Sequence, residues 1–143
     1  MDKRIRNLKA ETTQECFRIL QFWSSNAIDE QNGGFIGSID LDMTRHPEHG
    51  KGAVLNARIL WAYSAAYRIY KNPEHLSMAR KAYAYFTEHF IDKQYGGVSW
   101  RLKPDGTPQN TRKQIYAQAF AIYALAEYYR ISNKQEALQY ATE

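Results

Sequence analysis

An arginine lies in the middle of the most apolar stretch of this sequence. Arg58 belongs to the segment Lys51–Trp61, which reads KGAVLNARILW. A guanidinium among apolar neighbours costs free energy unless its charge is paired or reaches water. In a wet cavity, Arg58 could hold sugar hydroxyls or stabilise an oxyanion. Against other protein groups, it could form a structural ion pair with Asp40, Asp42 or Glu127, and the sequence leaves both interpretations open.

Aromatic and amide side chains are candidates to line the same cavity. Tyr116, Gln118 and Phe120 lie close together at the start of a second apolar segment. Tyrosine and tryptophan combine an apolar face with a polar edge, which suits the binding of sugar rings. Trp61 and Trp100 are therefore candidate stacking platforms, with Gln118 and Phe120 as further substrate-binding candidates. For each of them, packing in the protein core is the alternative interpretation.

The four histidines do not predict a metal or acid–base site. His46 and His49 lie three residues apart, but Pro47 between them argues against a helical metal-binding face. His75 and His89 fall on a predicted outer helix, where neither is well placed for proton transfer. The sequence also has no phosphate loop, nucleophile elbow or Cys/His cluster of metal spacing. We therefore predict no metal ion.

Composition and charge exclude several classes of protein. The chain has 143 residues, a formal charge of +4 and basic residues interleaved with acidic ones. The one local excess of basic residues is at the N-terminus and is typical of a solvated helix start, so we predict no nucleic-acid partner. Cys16 is the only cysteine, so no internal disulfide can form. No signal-like region opens the chain and no apolar run approaches about 18 residues, so we expect a cytoplasmic protein without a membrane partner.

The elements that position these residues come from a repeat. Ile28–Phe35 reads IDEQNGGF, and Ile91–Val98 reads IDKQYGGV, 63 residues later. In the predicted helices, the triplet LWA at 60–62 likewise corresponds to IYA at 122–124. Such a period predicts a stacked or closed array of one unit, and it exceeds the roughly 34 to 47 residues of common helical repeats. A third copy opens at Ser132, so we expect residues 1–143 to be the N-terminal fragment of a larger domain.

Hydrophobic periodicity predicts four helices and the start of a fifth. The predicted ranges are 3–26, about 52–71, 73–91 and 113–131, with the fifth helix opening at Ser132. The first and third helices are amphipathic, whereas the second and fourth are apolar on nearly all sides, which predicts deeper burial for those two. The pattern also predicts Cys16 as buried and Leu41 as an apolar position of a short hairpin in the loop 29–49. An α/α toroid fits this alternation of helices, and a flat solenoid is the alternative.

Three longer segments give the sequence a family resemblance. The run KGAVLNARILWAYSAAYR, the paired loops GGFIGSID and GGVSW, and the run KQIYAQAFAIYALAEYY resemble the N-acylglucosamine 2-epimerase superfamily, especially its cellobiose 2-epimerase branch. The resemblance covers about residues 22–143. It implies an all-α fold, an (α/α)6 toroid of six helical hairpins with short β-hairpin loops. This chain would hold about two and a half of the six hairpins.

The resemblance also implies a reaction and roles for two residues. In that family the sugar ring opens, a base removes the proton at carbon 2, and reprotonation on the other face follows through an enediol. No metal or organic cofactor is needed. Arg58 matches the arginine that steadies the enediol oxygen, and Tyr116 matches a tyrosine of the cavity, so these two residues are the candidate catalytic residues of the chain. The acid–base histidines lie in later hairpins, so we expect these 143 residues alone to be inactive.

Several alternatives remain open at this stage. The substrate could be cellobiose or a related β-1,4 disaccharide, or the protein could be an N-acylglucosamine 2-epimerase or a mannose isomerase. A glycoside hydrolase or lyase on the same toroid would need two carboxylates in the cavity. Four acidic residues of the loops could be mistaken for such a pair: Asp29, Asp40, Asp42 and Asp92. A non-catalytic helical interaction module is the third possibility. In that case the exposed inner layer would favour self-association.

Overall fold

Helices account for most of the chain in the computed structural model, which describes residues 2–142. The five α-helices are α1 (Lys3–Asn26), α2 (Ala53–Tyr70), α3 (Pro73–Tyr85), α4 (Ile115–Ser132) and α5 (Gln135–Thr142). A π-helical turn, Phe86–Phe90, extends α3. The predicted helices are thus confirmed to within a few residues at each end.

Short connections join the helices into antiparallel hairpins at one end of the molecule. Both α2 and α4 are followed by a capping residue in the left-handed conformation, Lys71 (φ 56°) and Asn133 (φ 53°). The side chain of Asn72 then accepts a hydrogen bond from the backbone N–H of Glu74, and Pro73 occupies the first turn of α3. These residues stop one helix and cap the next, so α3 folds back along α2.

Longer connections gather at the opposite end and form two small antiparallel sheets. The strands β1 (Ser38–Ile39) and β2 (Arg45–His46) make a hairpin between α1 and α2. The strands β3 (Lys51–Gly52), β4 (Arg101–Leu102) and β5 (Pro108–Asn110) form the second sheet in that order. Because β3 precedes α2 and β4 precedes α4, the second sheet ties the starts of these two helices together.

The core lies between α2, α3 and α4. Helix α2 packs most extensively against α4 and α3, and α4 packs against α5. The largest fully buried apolar side chains come from these helices and from the adjoining loops: Tyr63, Phe35, Phe86, Phe90, Leu60, Leu102, Leu125 and Val98. The solved structures that this fold resembles, described below, confirm helical hairpins of the (α/α)6 class. No helix within residues 2–142 is long and apolar enough to span a membrane.

The burial of α4 differs from the sequence prediction. Helix α4 was expected to be more buried than α3, but it exposes an apolar flank that includes Ile115 (85% exposed), Tyr116 (62%), Ile122 and Tyr123. Helix α3, by contrast, buries six of its 13 residues. The prediction is therefore wrong for α4 relative to α3, although α2 and α4 are both more buried than α1, in which only Leu20 is buried. The physical reason is that α4 packs mainly against α2 and α5, which leave this flank of the helix exposed.

Two single residues also differ from what the sequence pattern indicates. Cys16 was predicted to be buried, but it is only partly buried. In α1 the single buried residue is Leu20. Leu41 is fully exposed at the tip of the β1–β2 hairpin. Leu41 lies in the turn between the two strands, beyond the last paired residue Ile39, so it is not one of the residues that pair in the hairpin.

Candidate functional site

Two helical faces, one on α2 and one on α4, meet at a cleft. Arg58 and Trp61 are three residues apart on α2, and Phe120 and Tyr123 are three apart on α4, so each pair shares a helix face. The cleft is a cavity of about 470 Å³ between α1, α2 and α4. Its lining is apolar and aromatic apart from one guanidinium: Ile19, Leu20, Trp23, Leu55, Arg58, Ile59, Trp61, Ala62, Tyr63, Phe120 and Tyr123.

A continuous row of aromatic rings runs across this cleft. Tyr116 meets Phe120 edge to face, with ring centroids 4.9 Å apart and an interplanar angle of 70°. Phe120 meets Tyr123 in the same manner at 6.1 Å. Tyr123 then stacks on Trp61 of α2, with centroids 4.7 Å apart and planes 15° from parallel. These are favourable aromatic geometries, and together they form a firm wall on which a sugar face could stack.

The repeat explains why these rings meet. Trp61 and Tyr123 occupy equivalent positions of the two units, in the matched triplets LWA and IYA. Stacking therefore joins corresponding positions of neighbouring inner helices. Sequence reasoning did not select Tyr123, although this correspondence and its spacing from Phe120 could have identified it. Trp23, which α1 contributes to the cavity, had no comparable signal.

The guanidinium of Arg58 is exposed to the cleft. Within residues 2–142, no hydrogen bond or ion pair joins Arg58 to another group. The carboxylates considered as partners have other neighbours: Arg68 and Arg130 bind Glu127, His46 binds Asp40, and the backbone N–H of Thr44 bonds to Asp42. Arg58 is thus a positive charge at the edge of an apolar cleft, with its donors available to a ligand.

Arg58 also acts electrostatically on the aromatic wall. Burial raises the pKa of Tyr123, and the charge of Glu127 raises it further, whereas the positive charge of Arg58 opposes both effects. The phenol of Tyr123 therefore stays protonated near neutral pH. It can offer a hydrogen bond but does not readily accept a proton.

The structure gives two predicted substrate-binding residues structural contacts instead. The side-chain oxygen of Gln118 accepts the Val98 N–H at 2.7 Å, and its nitrogen donates to the Val98 carbonyl at 2.9 Å. Both ends of the amide are thus used to clamp the second Gly-Gly turn. Trp100 packs against the core, and its carbonyl accepts the N–H of Ala53 at the start of α2. Neither side chain lines the 470 Å³ cavity.

The cleft can bind a ligand but has few groups for proton transfer. Among its described lining residues there is no histidine, aspartate or glutamate. The remaining phenol, that of Tyr63, donates a 2.5 Å hydrogen bond to the carbonyl of Leu20, and burial raises the pKa of Tyr63 to about 12. The cleft can therefore stack an apolar or sugar face and stabilise a negative charge. A general base at neutral pH would have to come from elsewhere.

A family model and two curated relatives indicate the family of this chain. The model of the N-acylglucosamine 2-epimerase (GlcNAc 2-epimerase) family matches residues 34–143. A cellobiose 2-epimerase of Bacteroides fragilis is 48% identical over 135 residues, which are 94% of this chain and 34% of that protein. The N-acylglucosamine 2-epimerase of Homo sapiens is 26% identical over 139 residues, which are 94% of this chain and 32% of that protein.

A solved structure extends the likeness to three dimensions. The cellobiose 2-epimerase of Bacillus thermoamylovorans superposes with a TM-score of 0.88 at 42% identity, over 95% of this chain and 35% of that one. The chain thus spans about a third of the length of the relatives it matches. Because the family match extends from the first Gly-Gly turn to the last residue, this chain belongs to the N-acylglucosamine 2-epimerase family.

Proposed function

We propose that this chain supplies the arginine-bearing wall of the active site of a sugar 2-epimerase. The substrate class is cellobiose or a related β-1,4 disaccharide, and the reaction inverts carbon 2 of the reducing-end sugar. The observation that carries the proposal is that Arg58 is exposed beside an aromatic cleft and forms no ion pair with any group of residues 2–142. A guanidinium so placed, in a family of sugar epimerases, suits an anionic intermediate derived from a sugar.

In this mechanism Arg58 is the catalytic residue of the chain. When the ring is open and the proton at carbon 2 is removed, negative charge develops on the aldehyde oxygen. The Arg58 guanidinium donates hydrogen bonds to that oxygen and lowers the free energy of the enediol. A charged donor is strongest where water is excluded, and the apolar lining of the cleft provides that condition.

The aromatic residues orient the sugar in the proposed complex. Trp61 and Phe120 line the cleft beside Arg58 and present apolar ring surface to a pyranose. Tyr116 continues the row outwards and is largely exposed, so its phenol is available to hydrogen-bond the second sugar. Tyr123 braces Trp61 by stacking. Gln118 has no direct part in this proposal, because it holds the second turn in place.

Proton transfer is assigned to groups outside these 143 residues. The described lining of the cleft has no histidine or carboxylate, and the phenols of Tyr63 and Tyr123, whose pKa values are raised, stay protonated near neutral pH. The family resemblance assigns this step to histidines of later hairpins, with no metal or organic cofactor. The chain by itself should therefore show no epimerase activity.

The alternatives differ in what they require of this cleft. An N-acylglucosamine 2-epimerase or a mannose isomerase could use the same wall, and only the preferred substrate would separate them from the main proposal. A glycoside hydrolase or lyase requires a pair of carboxylates, and none lines the described cleft. Asp29 and Asp92, which recur with the repeat, are instead bound to lysines in the turns.

A chimera tests the proposal directly. Residues 1–143 would replace the matching third of the Bacteroides fragilis relative, and cellobiose epimerisation would be measured in Arg58→Ala, Arg58→Lys and unsubstituted chimeras. Loss of a charged donor to a developing oxyanion should lower kcat by about a hundredfold or more. Arg58→Lys should recover part of that loss. Arg80→Ala is the matched control, since Arg80 is an exposed arginine on the outer helix α3.

The outcomes separate catalysis from folding. Near-normal kcat in the Arg58→Ala chimera would contradict the catalytic assignment. If Arg58→Ala instead lowers the melting temperature and activity together, a structural role for the guanidinium would be favoured. Activity on N-acetylglucosamine or mannose in preference to cellobiose would replace the proposed substrate class and leave the role of Arg58 intact. The isolated 143-residue chain serves as the inactive reference.

A further inference from the structure

Two histidines and a glutamate converge at the turn that follows β2. The ligand atoms of His46, Glu48 and His49 all lie within 4.8 Å of one another. The spacing of His46 and His49 around Pro47 had argued against a metal site, since proline disfavours a helix. The chain instead makes a tight turn, in which the N–H of His49 bonds to the carbonyl of His46 at 3.2 Å. Proline is favoured in the second position of such a turn.

The separations within this cluster match those of metal ligands. His46 Nδ1 lies 2.9 Å from Glu48 Oε1, and His49 Nε2 lies 3.6 Å from the same oxygen. Ligands bound to zinc at about 2.0–2.2 Å in a tetrahedron stand about 3.4 Å apart. The two separations lie on either side of that value. The distances of both imidazole nitrogens from Glu48 are therefore compatible with shared coordination of one ion.

The outer nitrogen of each imidazole is already held by a neighbour. His46 Nε2 lies 2.9 Å from Asp40 Oδ2, and His49 Nδ1 lies 2.8 Å from Ser38 Oγ. Ligating histidines commonly donate their second N–H to a carboxylate or another acceptor, which fixes the tautomer and the ring position. Asp40 and Ser38 would thus leave His46 Nδ1 and His49 Nε2 as the ligand atoms. These are the two nitrogens that face Glu48.

From this arrangement we infer a binding site for a divalent transition-metal ion, Zn²⁺ by preference, formed by His46, Glu48 and His49. Two imidazoles and a carboxylate form a ligand set used by zinc, with water in the fourth position. Glu48 and Asp40 together supply the negative charge that offsets the ion. The inference does not depend on the proposed epimerase function. The ion would join β2 to the turn leading to β3 and so stiffen the β1–β2 hairpin.

One side-chain movement is required for binding. The rings of His46 and His49 stack nearly parallel, with centroids 4.6 Å apart and planes 10° from parallel. A metal lies close to the plane of each imidazole that binds it, so one ring must turn. His49 can do so because its side chain is 50% exposed, whereas that of His46 is 22% exposed. His46 would thus remain fixed against Asp40 while His49 closes on the ion.

Titration of the tag-free chain with Zn²⁺, followed by calorimetry, tests the site. Co²⁺ serves as a spectroscopic probe, because a low-coordinate site gives visible absorption bands. We expect one ion per chain, and a loss of affinity of at least about a hundredfold in His46→Gln, His49→Gln and Glu48→Gln. Asp40→Asn should weaken binding by about 10- to 100-fold through loss of the outer contact. Zn²⁺ should also raise the melting temperature of the unsubstituted chain.

Cys16→Ser and His89→Gln are the controls, since each removes a metal-binding side chain that lies outside the cluster. Both should bind Zn²⁺ as the unsubstituted chain does. Absence of binding at millimolar Zn²⁺ would overturn the inference. So would binding that survives the His46→Gln/His49→Gln double substitution, or that disappears in either control. A circular-dichroism spectrum of each variant, unchanged from that of the parent, ensures that lost affinity reports on the ligands.

Discussion

The two Ile-Asp turns, 28–35 and 91–98, have the same backbone but different surroundings. In both, the carbonyl of the aspartate accepts the N–H of the first glycine, at 2.9 Å in the first turn and 2.8 Å in the second. The aspartate N–H bonds to the carbonyl of the second glycine at 3.0 and 2.9 Å. All four glycines have a positive φ between 65° and 73°. The repeated sequence therefore produces one repeated turn.

The ion pair that each turn makes shows the difference. Lys51 and Lys113 precede α2 and α4 at equivalent positions, and each ammonium lies 2.8 Å from its aspartate. The side chains of Lys51 and Asp29 are 0% and 2% exposed, whereas those of Lys113 and Asp92 are 35% and 20% exposed. The first pair is therefore a buried ion pair, and the second is partly solvated. The two N–O distances are equal, but removing one partner should cost much more free energy in the buried pair than in the solvated one.

A tyrosine produces this difference in burial. Tyr85, at the end of α3, lies under the first turn, and its ring centroid is 4.9 Å from the ammonium of Lys51. Lys51 also donates a 2.5 Å hydrogen bond to the carbonyl of Gly33. The second turn is contacted by the polar amide of Gln118 instead. The same turn is thus a core element in one copy and a surface element in the other.

The largest expected effect comes from removing the lysines. Lys51→Met should lower the free energy of unfolding by about 3–5 kcal/mol, because it leaves the Asp29 carboxylate buried without its partner. Lys113→Met should cost about 0–1 kcal/mol, since solvent screens the exposed pair. Urea unfolding of the two variants under identical conditions measures both values.

Equal losses in the two lysine variants would contradict the comparison. The double variant Asp29→Asn/Lys51→Met provides the control, because removing both charges avoids an isolated buried ion. It should be more stable than Lys51→Met alone. A double variant less stable than the single one would show that Lys51 contributes mainly through its contacts with Tyr85 and Gly33.

A smaller difference is expected for the second glycine of each turn. In both turns alanine must adopt a positive φ, which costs about 1 kcal/mol. A Cβ at Gly34 would lie 2.5 Å from a ring atom of the buried Tyr85, whereas one at Gly97 would lie 2.6 Å from the side-chain oxygen of Gln118. The ring cannot move away without displacing core residues, so Gly34→Ala should lose about 1–3 kcal/mol more than Gly97→Ala.

Thermal unfolding of both glycine variants measures this difference. In Gly97→Ala the Gln118 amide can swing aside, at the cost of its bonds to Val98. The background variant Gln118→Ala removes the obstacle, so Gly97→Ala should cost less there than in the parent chain. If Gly97→Ala proves the more damaging of the two in the parent chain, the ring of Tyr85 is not the rigid obstacle proposed.

The sequence could predict the turns but not their energetics. The repeat, the Gly-Gly pairs and the apolar periods predicted the hairpins and the order of helices, because these depend on local spacing. Helix periodicity likewise places Arg58 and Trp61, three residues apart, on one face of α2, whereas their meeting with Phe120 depends on how α2 packs against α4. Exposure of Ile115, burial of Lys51 and the clamp made by Gln118 depend on which distant element packs there. Local patterns carry no such information.

Acidic pH should give the smallest difference between the two turns. Burial alone would raise the pKa of Asp29, but hydrogen bonds from Lys51 and from the backbone of Asn32, with the charge of Lys51, outweigh it and the net shift is downwards. The pKa of Asp92 is lowered chiefly by the hydrogen bond from Lys113, helped by backbone N–H groups. In both cases the ionised form of the carboxyl group is more favoured in the folded state than in the unfolded chain.

The sign of the pH effect follows from these directions. A lowered pKa contributes stability that is present above the unfolded value, about 3.8, and is lost as the pH falls through the folded value. Each carboxylate binds at most one proton, so each contributes at most about 1.4 kcal/mol per pH unit to the slope. Urea unfolding from pH 6 to pH 2 should show this slope below about pH 3.8, and Asp29→Asn and Asp92→Asn should each reduce it. At pH 6, Asp29→Asn should still be less stable than the parent chain, because the buried Lys51 has lost its counter-charge. Asp92→Asn should nearly match the parent at that pH. A slope that is unchanged in both variants would mean that other carboxylates govern acid unfolding. Equal stability of the two variants at pH 6 would remove the distinction between the buried and the solvated turn.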